Sequence, residues 1–106
     1  TLMPFRAGTS PNYWFYSICI DRTRIKVSMR EMITALEGDG IQTRAIWGLV
    51  NEQKPYMGEE TYRLERAPYY ADRILNIPSS TQITKEEITY VAKKVKQRLG
   101  SLAENG

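Results

Sequence analysis

Hydrophobic residues form short runs that are typical of β-strands at three places in the chain. Each run is rich in β-branched or aromatic residues, or alternates between apolar and polar positions. The runs are Tyr13–Ile20, Ile41–Trp47 and Ile74–Ile77. The third run leads into Pro78, which also favours extended backbone because a residue before proline avoids the helical conformation. The sequence therefore predicts three strands and a buried position for the first.

Two helices are predicted from capping boxes, in which a serine or threonine is followed three residues later by glutamate. The first box is Ser28–Glu31, and the helix after it has apolar residues at helical spacing and ends at Gly38 and Gly40. The second box is Thr84–Glu87. Its helix carries a long apolar stripe that we expect to face the core, and it should fray from Ser101 onwards. The stripe consists of Ile88, Val91, Val95, Leu99 and Leu102.

A third, shorter helix is predicted with Pro68 at its first position, continuing through Tyr69 to Ile74. Between residues 48 and 66 the hydrophobic pattern has no period, which indicates a loop, and loops of this length inside a small domain are often functional. The predicted fold class is α+β: a small two-layer domain in which a short sheet of about three strands packs with about three helices.

The length of 106 residues allows one domain, residues 1–106. A compact protein of this mass has roughly 6,000 Å² of accessible surface. The composition, with 42% hydrophobic and 25% charged residues, excludes collagen-like, disordered and disulfide-framework proteins. No apolar run is long enough for a membrane span, and the first ten residues do not have the pattern of a secretory signal. The chain begins at Thr1 without Met, so we expect a processed or excised chain.

Histidine is absent from the sequence, and Cys19 is the single cysteine. Catalysis that depends on a Ser-His or Cys-His pair and zinc sites built on histidine are therefore excluded. Cys19 lies within the first apolar run and is interpreted as an unreactive core thiol. The lack of a disulfide framework favours a cytoplasmic protein.

The net charge of +3 is concentrated in the last predicted helix. Five basic residues lie between positions 85 and 98 beside two acidic ones, and the rest of the chain is balanced. A basic helix of this kind can contact nucleic-acid phosphates, but it is more often a solvated face. The basic residues are Lys85, Lys93, Lys94, Lys96 and Arg98.

Candidate binding chemistry is concentrated in the segment GIQTRAIWGLVNEQKPY, residues 40–56. Arg44 could pair with a carboxylate or phosphate, and Trp47 or Tyr56 could stack on a sugar or base. Asn51 and Gln53 add amide groups. The alternative, equally supported by composition, is that Trp47 belongs to the core and Arg44 forms a surface ion pair. The adjacent pairs Glu59-Glu60 and Glu86-Glu87 do not predict an acid/base site, and no metal site is predicted.

Five segments in this order and spacing resemble the C-terminal small domain of the DegT/StrS-type nucleotide-sugar aminotransferases. They are YWFYSICID, EGDGIQTR, AIWGLVNEQKPY, APYYADRILNIPSST and ITKEEITYVAKKVKQ. The resemblance covers roughly Pro11 to Leu99, and its most specific parts are GIQTR and RILNIPSS. Within the family, IQTRAIWGLVNEQKPY is most similar to the branch that makes amino sugars of the bacillosamine and legionaminic type.

The resemblance implies a fold-type I enzyme that uses pyridoxal 5'-phosphate to transfer an amino group from L-glutamate to a nucleotide-linked keto-deoxy sugar. It implies a role in cell-surface or secondary-metabolite sugar biosynthesis, a homodimer and no membrane association. The family's cofactor lysine and aspartate belong to a large domain, and no lysine here matches that position, so no residue is assigned as catalytic and this chain alone should be inactive. Arg44 and Trp47, followed by Asn51, Gln53 and Tyr56, are the expected substrate contacts. Many relatives carry a histidine where this chain has residues 48–51, which affects the polar contacts of the sugar pocket.

Two other functions remain open from the sequence. A small α+β module that binds nucleic acid or protein would use the aromatic strand and the basic last helix. The sequence disfavours nucleic acid, because no exposed aromatic and basic pattern of an RNA-binding sheet follows the first strand. A domain with a purely structural role is the other alternative.

Overall fold

The computed structural model describes residues 1–104 and has the predicted α+β class. Two short 3₁₀ turns, Val50–Glu52 and Lys54–Tyr56, interrupt the long loop that the sequence predicted. The regular elements within residues 1–104 are three strands and three α-helices: β1 (Tyr16–Cys19), α1 (Met29–Glu37), β2 (Arg44–Ala45), α2 (Arg66–Ala71), β3 (Ile74–Ile77) and α3 (Lys85–Glu104).

The sheet is antiparallel, with β3 between β1 and β2. Tyr16 lies opposite Ile77 in the β1–β3 pair, and Arg44 lies opposite Asn76 in the β2–β3 pair. The N-terminal residues extend the sheet on the other side of β1, where Leu2 forms an antiparallel bridge with Ile18. The order across the sheet is therefore residues 1–3, β1, β3 and β2.

The capping box predicted for α1 is present. The Glu31 amide donates to Ser28 Oγ at 3.2 Å, and the Ser28 amide donates to the Glu31 carboxylate at 2.8 Å. The helix ends at Glu37, with Gly38 as its C-cap, and Gly40 takes a φ of 75°, a conformation that favours glycine. The sequence prediction of this helix is confirmed at both ends.

The core lies between α1 and one face of the sheet. Met32 and Leu36 of α1 and Leu75 of β3 are fully buried. Ile18 and Leu75 are opposite each other in the register, so both point to the same face and meet the apolar side of α1. Cys19, the neighbour of Ile18, is only partly buried, so its interpretation as a core residue is wrong.

The capping box of α3 is also confirmed: the Glu87 amide donates to Thr84 Oγ1 at 3.2 Å and the Thr84 amide donates to the Glu87 carboxylate at 2.8 Å. The helix continues to Glu104, so the fraying predicted from Ser101 is wrong for residues 101–104, and residues 105–106 lie outside the described part. Its stripe packs against the core from Val91 to Leu102, as predicted. However, no described residue of α3 is fully buried, and Ile88 is 51% exposed.

Two predicted strands are shorter than expected because local hydrogen bonds compete with the sheet. The predicted strand from Tyr13 begins only at Tyr16, since Tyr13 has a φ of 56° and the Trp14 amide donates to Asn12 Oδ1 at 3.1 Å. Tyr13 and Trp14 are exposed rather than buried. The strand predicted from Ile41 to Trp47 is reduced to two residues, because the Ile41 amide still donates to Leu36 at the end of α1.

The prediction for α2 is wrong at both ends. The helix begins at Arg66, so Pro68 occupies its third position, where a missing amide proton is also harmless. It ends at Ala71 rather than Ile74, because Ile74 starts β3.

The chain exposes more surface than the sequence predicted. Its accessible area is 8574 Å², whereas about 6,000 Å² is expected for a compact protein of this mass. The radius of gyration of 15.5 Å also exceeds the value of about 13 Å that is typical of a domain this long. None of the helices in residues 1–104 is long and apolar enough to cross a membrane.

Candidate functional site

The five residues predicted to bind substrate lie on the surface, from β2 into the following loop. Trp47 is 73% exposed and Tyr56 is 49% exposed; Arg44 and Gln53 are also exposed, whereas Asn51 is half-buried. No hydrogen bond, ion pair or ring contact joins the side chains of any two of them among the residues that the structure describes. They therefore share one loop region without forming a preassembled cluster.

Backbone hydrogen bonds between residues three positions apart hold this loop in shape. The Glu52 amide donates to the Leu49 carbonyl and the Gln53 amide donates to the Val50 carbonyl, both at 3.1 Å. The Tyr56 amide then donates to the Gln53 carbonyl at 2.8 Å. These bonds form the two 3₁₀ turns and fix the backbone from which Asn51, Gln53 and Tyr56 project.

Trp47 packs against two aromatic residues that sequence reasoning did not include in the site. Its ring centroid lies 5.7 Å from that of Phe15 in an edge-to-face arrangement, and 6.4 Å from that of Trp14. Trp14 and Phe15 stack on each other at 4.7 Å. We call Trp14, Phe15 and Trp47 the aromatic cluster. The interpretation of Trp47 as a core residue is wrong, since most of its ring is in contact with solvent.

The backbone around Trp14 is held on both sides. Its amide donates to Asn12 Oδ1, and its carbonyl accepts a hydrogen bond from Ser79 Oγ at 2.7 Å. Tyr13, directly before it, has a positive φ, which costs free energy in a residue with a bulky side chain. The chain therefore keeps an exposed tryptophan in a fixed position at an energetic cost. The sequence signal for this turn is Asn12, whose short side chain favours such local hydrogen bonds.

Arg44 offers an unpaired guanidinium at the edge strand of the sheet. It lies opposite Asn76 in the β2–β3 register, and within residues 1–104 it forms no ion pair. The interpretation that Arg44 forms a surface ion pair is therefore wrong for the described residues. An exposed guanidinium can still bind an external carboxylate or phosphate with two parallel hydrogen bonds.

The basic residues of α3 are partly neutralised inside the molecule. Asp39, whose side chain is 8% exposed, accepts hydrogen bonds from Lys94 Nζ at 3.1 Å and from Arg98 Nε at 2.6 Å. The hydrogen bond from Arg98 is the main cause that lowers the pKa of Asp39 to about 2. The Tyr90 hydroxyl also donates to the Asp39 carbonyl at 2.9 Å. Two of the five basic residues thus join α3 to the end of α1, which weakens the nucleic-acid alternative.

The acidic pairs considered in the sequence do not form a catalytic site. Glu87 caps α3 through Thr84, and these hydrogen bonds lower its pKa. Glu59, Glu60 and Glu86 are exposed. Across residues 1–104, no group of three potential metal-ligating side chains comes together.

Three of the six lysines lie in surroundings that differ from a pyridoxal-phosphate site. Such a site needs a lysine and an aspartate arranged around one bound ring. Lys94 is instead paired with Asp39 in an ion pair that joins two helices, and Lys26 donates to the Arg22 carbonyl at 3.1 Å. Lys54 is exposed on a 3₁₀ turn.

Comparison with known proteins finds one matching family profile and similar solved structures. The profile of the DegT/DnrJ/EryC1/StrS aminotransferase family matches residues 1–96. The aminotransferase TlmJ from Streptoalloteichus hindustanus has a similar structure, with a TM-score of 0.74 and 20% sequence identity over 94% of this chain and 26% of that chain. The structure of DesI with its TDP-sugar product has a TM-score of 0.74 and 24% identity over 85% of this chain and 23% of that chain. A search among curated proteins finds no match.

This chain thus spans about a quarter of the length of both similar structures. At these identities the likeness to the two structures concerns the fold, whereas the profile match covers most of the sequence.

Proposed function

The chain belongs to the DegT/DnrJ/EryC1/StrS aminotransferase family, and we propose that residues 1–106 are the C-terminal small domain of a sugar aminotransferase. The intact enzyme would transfer an amino group from L-glutamate to a nucleotide-linked keto-deoxy sugar. The observation that carries this proposal is the profile match over residues 1–96. The short span of the chain relative to TlmJ and DesI supports the view that a larger, cofactor-binding part belongs to the same enzyme.

Pyridoxal 5'-phosphate would carry the amino group between the two substrates when bound to the large domain. Since no lysine of this chain matches the position of the family's cofactor lysine, residues 1–106 alone should be inactive. The proposed contribution of this domain is to bind and orient the sugar nucleotide.

Arg44 and Trp47 are the first candidates for that contribution. The unpaired guanidinium of Arg44 suits a phosphate group of the sugar nucleotide. The exposed ring of Trp47 offers an apolar face for a sugar or a base, and the rings of Trp14 and Phe15 are in contact with it. A nucleotide-linked sugar has both kinds of group, and DesI was crystallised with a TDP-sugar product.

Asn51, Gln53 and Tyr56 are the proposed polar contacts to the sugar hydroxyls. Their backbone is fixed by the two 3₁₀ turns, so their side chains can be presented with little loss of backbone entropy on binding. The residues at positions 48–51 would set which sugar is accepted. The similarity of IQTRAIWGLVNEQKPY to the bacillosamine and legionaminic branch makes sugars of that type the first to be tested.

The proposal includes three properties of the intact enzyme that follow from the family resemblance. They are a homodimer, a cytoplasmic location and a role in cell-surface polysaccharide or secondary-metabolite sugar biosynthesis. Size determination of the intact enzyme in solution tests the first of them.

The deciding experiment is a visible absorption spectrum of the intact natural polypeptide, before and after addition of L-glutamate. A yellow absorption band from bound pyridoxal phosphate that is lost with L-glutamate supports the proposal. The chain of residues 1–106 with added pyridoxal phosphate is the matched control, and it should show no such conversion. An intact polypeptide that stays colourless with added cofactor would overturn the proposal.

Arg44→Ala in the intact enzyme tests the substrate site separately. We expect weaker binding of the sugar nucleotide with an unchanged absorption band, because Arg44 would not contact the cofactor. An unchanged KM with normal turnover would remove Arg44 from the site and leave the aminotransferase proposal standing.

A further inference from the structure

A row of polar side chains crosses the sheet on the face opposite the core. Ser17 of β1 lies opposite Asn76 of β3, and Asn76 lies opposite Arg44 of β2. Residues directly opposite each other in an antiparallel pair point to the same face of the sheet. Ile18 and Leu75, their neighbours along β1 and β3, point to the other face and belong to the core. We call Ser17, Asn76 and Arg44 the polar row.

The side chain of Asn76 is held from the side of β1. Ser17 Oγ donates to Asn76 Oδ1 at 2.6 Å, and both residues are half-buried. Because the amide group is planar, an oxygen that points towards β1 leaves the nitrogen pointing away from it. Within residues 1–104, Asn76 Nδ2 has no hydrogen-bond partner and is not a buried atom, so it is open to solvent. Asn76 therefore keeps two N–H donors available beside the guanidinium of Arg44.

Asparagine is an uncommon residue at the centre of a sheet. It is depleted in strands, and β3 is the central strand here. A hydrogen bond between Ser17 and Asn76 can stabilise the pairing of β1 with β3, but it does not use the amide nitrogen. Arg44, on the other side of Asn76, also has no ion pair within residues 1–104. Two unused donor groups side by side are a departure from local preference of the kind found at functional sites.

The aromatic cluster lies beside the polar row. β1 and β2 are both antiparallel to β3, so they run in the same direction. Phe15 precedes Ser17 and Trp47 follows Arg44, which places the two aromatic residues beyond opposite ends of the row along the strands. Their ring centroids are nevertheless only 5.7 Å apart, so Trp47 reaches back past Arg44. A ligand in contact with Trp47 is therefore within reach of the polar row.

The free groups of the polar row are donors and include a positive charge. A guanidinium and an amide nitrogen both donate hydrogen bonds, and neither can accept one. Their natural ligand is an anion with several oxygen acceptors. Arg44 and Asn76 stand on neighbouring strands about 5 Å apart. This separation is wider than the spacing of the two oxygens of one carboxylate, and it favours a diphosphate, whose oxygens are distributed over two phosphorus atoms.

We propose that Asn76 and Arg44 together bind the diphosphate of the nucleotide-linked sugar, and that Ser17 positions the Asn76 amide for this contact. The proposal rests on the proposed function, in which this domain binds the sugar nucleotide. Asn76 Nδ2 donates to one phosphate oxygen and the Arg44 guanidinium to another. The backbone of β3 is paired on both sides, so Asn76 is presented from a rigid strand rather than from a loop.

Inorganic pyrophosphate is the probe for this site, since it has the diphosphate without a sugar or a base. It is titrated into the intact polypeptide, and binding is followed by the width of its phosphorus NMR signal. Asn76→Asp keeps the oxygen that accepts from Ser17 and replaces the donor nitrogen by a charged oxygen. We expect the dissociation constant to rise about tenfold or more. Gln97→Glu, the matched control, makes the same change at an exposed position of α3 and should leave it unchanged.

Equal dissociation constants for the native protein and Asn76→Asp would overturn the proposal, and so would a native protein that does not bind pyrophosphate. L-Glutamate is titrated in parallel as a carboxylate ligand. If Asn76→Asp weakens the binding of L-glutamate more than that of pyrophosphate, the polar row binds the amino donor and the proposal is wrong. The readout needs neither cofactor nor turnover, so its failure is distinguishable from failure of the aminotransferase proposal.

Ser17→Ala tests the positioning role and also provides a second variant. Loss of the hydroxyl frees the Asn76 amide to rotate, and we expect a dissociation constant that rises between about two- and tenfold, the cost of ordering one side chain on binding. Ser17→Thr keeps the hydroxyl and should bind pyrophosphate like the native protein. Unchanged binding in Ser17→Ala would show that Ser17 only supports the sheet. Circular dichroism checks that each variant is folded.

Discussion

Trp47→Ala should separate ligand binding from folding. Only about a quarter of the Trp47 side chain is buried, because the residue is 73% exposed. This corresponds to about 60 Å² of the area that a tryptophan can bury, and thus to at most about 1.5 kcal/mol of unfolding free energy. If the ring stacks on a sugar nucleotide, its loss should cost about 1–3 kcal/mol of binding free energy, a 5- to 150-fold weaker affinity.

The assay combines calorimetric titration of nucleotide-linked sugars with chemical unfolding, both on the intact enzyme. Leu75→Ala is the matched comparison, because Leu75 is fully buried and its truncation should cost about 3 kcal/mol of stability without altering affinity directly. The reasoning is refuted if Trp47→Ala leaves the affinity unchanged, or if it destabilises the fold as much as Leu75→Ala.

Three further predictions concern Asp39, Arg44 and Ser28. Asp39→Asn should lower the Tm most above pH 4. The pKa of Asp39 is lowered to about 2, so the stabilisation by its ionised carboxylate is complete above pH 4 and is lost as the pH falls from about 4 to about 2. A Tm difference that is independent of pH would contradict this. Arg44→Lys should bind the sugar nucleotide more tightly than Arg44→Ala but less tightly than the native enzyme, since lysine keeps the charge but cannot form two parallel hydrogen bonds. Calorimetry on both variants measures this. Ser28→Ala should destabilise the fold by about 1 kcal/mol in urea unfolding, through loss of the cap on α1, whereas an unchanged midpoint would show that the cap contributes nothing.

The sequence predicted those elements whose signals are local. Both long helices begin where a serine or threonine caps the amide three residues later, and this interaction needs no distant partner. β3 was predicted at its observed bounds because Pro78 and the apolar run fix it from both sides. The register and the central position of β3 could not be predicted, since they depend on which distant residues pair.

The candidate site shows a different limit of sequence reasoning. The aromatic run before β1 has the composition of a buried strand. However, the Trp14 amide donates a hydrogen bond to the Asn12 side chain instead of to a neighbouring strand. Composition could not decide between a core and an exposed position for Trp47, because the same residue type serves both. The structure shows that Trp47 is exposed and that Trp14 and Phe15 lie beside it.

The two exposed apolar surfaces of this chain differ in composition. One is the groove between α3 and the sheet, which is lined mainly by aliphatic side chains such as Ile88 and Leu99. The other surface contains the aromatic rings around Trp47, and a guanidinium, amides and a phenol lie on the same segment, residues 44–56. Such a mixture is typical of sites that bind a polar ligand reversibly, because the rings supply contact area and the polar groups supply orientation. The second surface is therefore the one that we propose for the substrate.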